Sequence, residues 1–215
     1  MEKEDPGRIL LINKPLHWTS FDVVNKLRYK LKTKKIGHAG TLDPLATGLL
    51  IVCVGKMTKR IDEFMGHEKE YTGKFIIGQT TASHDLETPL GEQKDISHLT
   101  YAEIEKAAKL FTGNILQLPP QHSAIRVNGK RAYEFARQGK EIALSARNVT
   151  VNAFDIVDAR LPEVSFRIVC SKGTYIRSLV RDIGNELNVG AYLAELCRTR
   201  IGDFKLDDAL SIDQF

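Results

Sequence analysis

Asp43 is the single acidic residue of GHAGTLDPLATG, Gly37 to Gly48, and its nearest acidic neighbours along the chain are Asp22 and Asp62. Pro44 fixes its own φ and biases Asp43 towards extended backbone. Gly37, Gly40 and Gly48 permit backbone conformations or close approaches that a side chain would block. A carboxylate held in this way suits a nucleophile, and to remain ionised it needs a partner cation. The same residues also fit an Asx turn ahead of a proline. On the local pattern both readings stand.

The surroundings of that carboxylate are basic. No acid occurs from Val23 to Leu42, a window that holds Lys26, Arg28, Lys30, Lys32, Lys34 and Lys35. A second acid-free run covers Lys106 to Tyr133, with Arg126, Lys130 and Arg131 near its end, and Lys172, Arg177 and Arg181 form a third cationic group. The chain as a whole carries only +4, from 31 Lys and Arg against 27 Asp and Glu, so distribution matters more than sum. Segregated positive charge points to a phosphate-rich partner, nucleic acid above all.

Other chemistries find little support. GKMT, Gly55 to Thr58, echoes a phosphate loop, but Leu50 occupies the place of the required upstream glycine. The six histidines (17, 38, 67, 84, 98 and 122) stand at no metal-ligand spacing with a second His or Cys. No metal or other cofactor is expected. Cys53, Cys170 and Cys197 are far apart and flanked by apolar residues, which reads as reduced, buried thiols of a cytoplasmic protein. The polar start and a longest apolar run of only Leu49 to Val54 predict neither a signal peptide nor a membrane span.

The elements that must position these residues follow from periodicity. ILLIN, from Ile9, reads as a strand stopped at Lys14-Pro15. A helix follows, capped by Thr19 or Ser20, with Phe21, Val24, Leu27 and Leu31 at helical spacing. LLIVCVG after the Asp43 loop is a buried strand, and KEYTGKFIIG alternates as a second strand. TYAEIEKAAKLF has a Thr100 cap with Glu103 at the capping-box position. Asn128-Gly129 signals a turn, with a short helix after it. Two neighbouring strands, a helix capped by Thr174 and a last strand over AELCRTRIGDF complete the chain. Short links between strands predict an α+β fold: a central mixed or antiparallel sheet flanked by helices.

GHAGTLDPLATGLLIVCVG resembles the signature of the TruB-type tRNA pseudouridine-55 synthases. Further segments resemble that family in order: LLINKP, KEYTGKFIIGQTTASHDLETPLG, QLPPQHSAIRVNGKRAYEFARQG, VSFRIVCSKGTYIRSLVRDIG and AYLAELCRTRIGDF. Together they run from about Ile9 to the C-terminus. The resemblance implies the pseudouridine synthase fold and a cofactor-free reaction on a T-loop uridine of tRNA. The N-glycosidic bond breaks, the uracil turns in its pocket, and a C–C bond to the ribose forms through C5.

The resemblance also implies roles. Asp43 is the essential carboxylate, whether it attacks ribose or base or removes a ribose proton. Arg177 pairs with it, and Tyr71 stacks on the uracil. Leu196 closes the apolar side of the pocket, and His38 enters the T-loop where the target base was stacked. Lys14, Gly40 and Lys172 join His38 and Leu196 as substrate-binding residues. An extruded nucleotide leaves a gap, and a flat side chain beside a glycine suits filling it. The basic helix and the segment Arg126 to Lys140 then fit phosphates of the tRNA T-arm.

Residues 1–215 read as a single catalytic domain without the C-terminal PUA domain that many members carry. A monomer with no obligatory protein partner and no membrane is expected. Three alternatives stand beside this reading: a synthase of the same fold acting on another RNA, a non-catalytic RNA clamp, and a small-molecule enzyme with an incidental basic face.

Overall fold

The computed structural model describes residues 7–127 and 129–215, and the chain divides into two compact units. The first comprises residues up to Thr72 together with Glu195–Phe215. It opens with β1 (Arg8–Lys14) and α1 (Ser20–Lys30), followed by β2 (Ile36–His38) and β3 (Ala46–Val54). A 3-10 turn over Gly55–Arg60 leads into the short α2 (Ile61–Gly66), and β4 (Lys69–Ile77) runs on into the second unit.

β3 organises the first unit. It pairs antiparallel with all of β1, Arg8 opposite Val54 and Lys14 opposite Gly48. On β3's other side, β2 pairs antiparallel at the C-terminal end, Ile36 opposite Val54. The returning strand β10 (Ala191–Ile201) pairs parallel at the N-terminal end, Leu196 opposite Ala46. The sheet is therefore mixed. A strand covered on both faces reads as a continuous apolar run, and this explains LLIVCV. Leu50, Val52 and Val54 face one core with Val23, Val24 and Leu27 of α1. Leu49, Ile51 and Cys53 face the other, with Ala39, Phe64 and Ile201. The period of two along the strand assigns each set to its face.

Both sequence caps of α1 are used, for different ends. Thr19 is the N-cap, in a capping box with Asp22. Ser20 instead bonds Leu42 in the Asp43 loop: its Oγ accepts from the Leu42 N–H at 2.9 Å and lies 3.3 Å from the Leu42 carbonyl. α1 is thus tied to that loop at its first turn.

The second unit, Gly73–Ala194, continues with α3 (Tyr101–Leu110) and β5 (Gly113–Gln117). A small hairpin of β6 (Arg126–Val127) and β7 (Lys130–Arg131) leads into α4 (Ala132–Ala136). The expected turn falls on this hairpin, but Asn128 lies outside the described residues. The long strands β8 (Arg147–Arg160) and β9 (Glu163–Cys170) pair antiparallel, and α5 (Ile176–Glu186) follows before β10. Strand order in this unit is β4-β9-β8-β5. Phe166 packs against Phe75 at 5.9 Å and Phe154 at 6.3 Å between ring centroids. β11 (Phe204–Lys205) closes the chain against β10 in the first unit.

Of two local expectations, one is met and one is not. Thr100 and Glu103 form the capping box as read, but Thr174 does not cap α5. Its hydroxyl donates to the Ser171 carbonyl, and the N-cap is Tyr175. The Gln117 side chain holds that residue instead, accepting from the Tyr175 N–H at 2.8 Å and donating to its carbonyl at 3.1 Å. A partner 58 positions away leaves no local signal.

Candidate active site

In the first unit the Asp43 loop joins β2 to β3, close to where Leu196 pairs with Ala46. The Ala46 N–H returns to the Asp43 carbonyl at 3.0 Å, closing a turn over the proline. The acceptor is the Asp43 main-chain carbonyl, so this is a backbone turn and not the Asx turn that the sequence also allowed. Asp43 is half-buried.

The loop is held by cations whose charge stays near the acid while their hydrogens go to the backbone. Lys14 is wholly buried, and its ammonium donates to the Trp18 carbonyl at 2.6 Å and the Pro15 carbonyl at 2.9 Å, with Pro44's at 3.5 Å. Burial pulls its pKa from 10.5 down to about 8; the Asp43 charge opposes the drop, and Arg198 reinforces it. Arg198 on β10 was missed by the sequence reading. It is 1% exposed, and its guanidinium donates to the Leu49 carbonyl at 2.8 Å and the Gly40 carbonyl at 3.1 Å. An arginine in CRTRIGDF reads as a surface residue, and only the parallel pairing with β3 turns it inward.

The same pairing explains Gly48. Its φ is +101°, and a Cβ there would sit 2.4 Å from the Arg198 carbonyl oxygen. Here glycine is required both by conformation and by the approach of β10. Gly37 differs from the flexible position expected beside His38. It lies in β2, where a Cβ would meet only the end of the Ile61 side chain, at 2.8 Å. His38 ends that strand half-buried, with its Nδ1 buried and unpartnered. Burial, with Arg198 beside it, lowers its pKa and favours the neutral ring.

Tyr71 lies on β4 in this unit, 8% exposed. Leu196 is half-buried, and its carbonyl lies 3.4 Å from the Thr47 hydroxyl. Lys14, His38, Gly40, Asp43, Tyr71 and Leu196 all belong to this first unit, whereas Lys172 and Arg177 belong to the second.

Arg177, on the first turn of α5, is 4% exposed. Its guanidinium donates to the Ser83 carbonyl at 3.1 Å and the His122 carbonyl at 2.9 Å, and its Nε lies 3.4 Å from Asp85 Oδ2. Asp85, from the loop after β4, was also missed. Its side chain is 7% exposed, and a charge so buried calls for a partner. His84 beside it has a pKa lowered to about 4, first by burial and then by Arg181, Arg177 and His122. Lys172 is exposed in the turn after β9. Arg147, at the start of β8, lies 4.6 Å over the ring of Tyr175, adding a fixed cation that spacing did not reveal. Among the described residues no group of three or more His, Cys, Asp or Glu could hold a metal ion.

A mixed sheet with helices packed on it, and a lone carboxylate in a glycine-bounded loop ahead of β3, are the α+β architecture of the pseudouridine synthase fold, and solved structures share it. A chain in the crystal structure of a Cbf5-Nop10-Gar1 complex aligns with a TM-score of 0.74 and 30% identity, over 95% of this chain and 53% of that one. A chain in a structure of an H/ACA RNP bound to a substrate RNA containing 2′-deoxyuridine aligns with a TM-score of 0.71 and 28% identity, over 95% and 51%. This chain spans about half the length of those two solved chains.

The chain belongs to the TruB family. The model described as TruB family pseudouridylate synthase, N-terminal domain, matches residues 28–176, and that of the tRNA pseudouridylate synthase B C-terminal domain matches residues 177–215. Curated relatives named tRNA pseudouridine synthase B, from Phocaeicola vulgatus and Flavobacterium johnsoniae, are each 51% identical over 97% of this chain and over 92% and 94% of their own lengths.

Proposed function

We propose that this chain isomerises uridine to pseudouridine at position 55, in the T-loop of tRNA, with Asp43 as its essential carboxylate. The observation that carries the reading is the Asp43 loop itself. Two buried cations, Lys14 and Arg198, donate hydrogen bonds to the backbone on either side of this acid, at Pro44 and at Gly40. Their fixed geometry removes reorganisation at the moment of reaction.

The reaction balances within the substrate. The bond from C1′ to N1 breaks, the uracil turns, and C1′ bonds to C5. The proton on C5 leaves, and N1 carries a proton in the product. Tyr71 faces the uracil, Leu196 lines its apolar side, and His38 takes the place of the extruded base, a role suited to a neutral ring with an unpartnered Nδ1. Lys14 and Gly40 act here through the loop they hold. Arg177, anchored by Asp85, is the counter-charge that the family resemblance assigns to Asp43. Lys172, in its exposed turn, meets the RNA backbone.

The substrate is tRNA, engaged by its T-arm, and the chain acts as a monomer, as one catalytic domain in the cytoplasm, without an obligatory protein partner. Among the described residues no helix is long and apolar enough to cross a membrane.

The test is release of tritium from a T-arm hairpin labelled at uracil C5, with Asp43→Asn run beside the wild type. Release by the wild type alone is the expected result. Release by both would remove Asp43 from the chemistry, and release by neither, with RNA bound, would leave a clamp without catalysis.

A further inference from the structure

α1 carries two stripes. Val23, Val24 and Leu27 enter the core. Asp22, Asn25, Lys26 and Tyr29 recur at i, i+3, i+4 and i+7 on another face. With His17 and Trp18 from the turn ahead of the helix, they line a groove of about 550 Å³. Tyr29 is 84% exposed, more than any other large hydrophobic residue described. Trp18 is half-buried, packed in part against the core.

The charges in the groove are not equivalent. Asp22 is committed to the cap: its Oδ2 accepts from the Thr19 N–H at 2.8 Å and from the Thr19 hydroxyl at 2.6 Å. Asn25 Oδ1 accepts from Arg28 at 2.6 Å, which directs the amide nitrogen elsewhere. Lys30, one position beyond Tyr29, is held by the Ile212 and Phe215 carbonyls at the chain end. Lys26 remains exposed within the acid-free window, beside two aromatic rings.

We propose that this groove binds one unpaired nucleotide of the RNA substrate, its base stacked on Tyr29 and its phosphate on Lys26. The proposal rests on the RNA-substrate reading above and not on the role of Asp43. Aromatic faces beside a cation are how single-stranded RNA is gripped without sequence preference, because every base offers a π-face. An acidic peptide would match Lys26 but would leave the rings unused.

Trp18 is the only tryptophan of the chain, so its emission reports on this groove directly. The experiment titrates a mixed-sequence single-stranded octaribonucleotide into the full chain and follows Trp18 fluorescence, with RNA binding measured in parallel by anisotropy. Saturable quenching is expected. Tyr29→Ala should weaken it about tenfold, and Tyr29→Phe should restore it. Lys26→Ala should weaken it and lower the salt slope by about one. Tyr29 projects into solvent, so these variants keep the core intact. RNA binding without quenching, quenching unchanged in Tyr29→Ala, or equal quenching by polyglutamate overturns the proposal. Tritium release assayed on the same preparations separates the two readings. Quenching without release keeps the groove and sinks the catalytic reading, and release without quenching does the reverse.

Discussion

His84 should make the protein acid-sensitive in a way that one substitution removes. The residue lies beside Asp85 with φ at +62°, its N–H bonded to the Thr81 carbonyl and its own carbonyl to the Leu193 N–H. Burial and the cations Arg181, Arg177 and His122 lower its pKa from 6.5 to about 4. The folded state therefore holds the neutral ring at pH values where the unfolded chain already binds a proton. The contribution is fully present above about pH 6.5 and is lost as pH falls towards 4. At pH 5 the unfolded imidazole is almost wholly protonated and the folded one about a tenth so. The ratio of the two binding polynomials is then about 30, worth about 2 kcal/mol.

The assay is urea unfolding followed by far-UV circular dichroism at pH 7.5, 6 and 5, for the wild type and His84→Asn. Asparagine tolerates the left-handed backbone at this position and does not titrate. The wild type should lose about 2 kcal/mol more than the variant between pH 7.5 and pH 5. All other titrating groups are shared and cancel in the difference. A wild-type-minus-variant difference that stays flat across this range would refute the reasoning, because the folded ring would then bind protons as readily as the unfolded one.

Asp85→Asn leaves the buried Arg177 guanidinium without its carboxylate, so stability should fall by about 3–5 kcal/mol, and tritium release should fall with it at temperatures where the variant remains folded. Lys14 has an alkaline pH window, with the same sign as a carboxylate of lowered pKa: stability rises with pH. Its buried charge costs most below pH 8, and the cost is relieved as pH rises towards 10.5, so the wild type should gain on Lys14→Met across that interval in the same unfolding assay.

What was legible in the sequence is what local pattern controls. The Thr19 cap and the Thr100–Glu103 capping box lie within four residues of their partners. The buried β3 and the alternating β4 are visible as apolar runs, and the Asp43 loop is visible as an acid among glycines. What escaped were contacts made across long sequence separations. Arg198 meets Gly40 158 positions away, Arg177 meets His122 55 away and Ser83 94 away, and Gln117 reaches Tyr175 58 away. β5 escaped for the same reason. GNILQ lacks a clear alternating pattern and becomes a strand by pairing with Arg147 to Val151. Family resemblance supplied the names of Arg177 and Tyr71, but Asp85 and Arg198, which hold the surroundings in place, required coordinates.

Arg198 separates two ways in which a buried cation can serve a carboxylate: by its charge or by its fork of donors. Its Nε and a terminal nitrogen reach two carbonyls nine residues apart in sequence, Gly40 ahead of Asp43 and Leu49 after it, so one planar group brackets the loop. Hydrogen bonds from a charged donor contribute about 1.5–3 kcal/mol each, so Arg198→Met should cost at least about 3 kcal/mol of stability and most of the activity. Arg198→Lys is the discriminating change. It keeps the charge near Asp43, but an ammonium is a point donor and cannot span both carbonyls in that geometry. If the fork matters, lysine should recover less than half of the lost stability, and kcat should stay depressed while KM for the hairpin changes little. If lysine restores kcat in full, charge alone suffices, and the bracketing of the loop is incidental to the reaction.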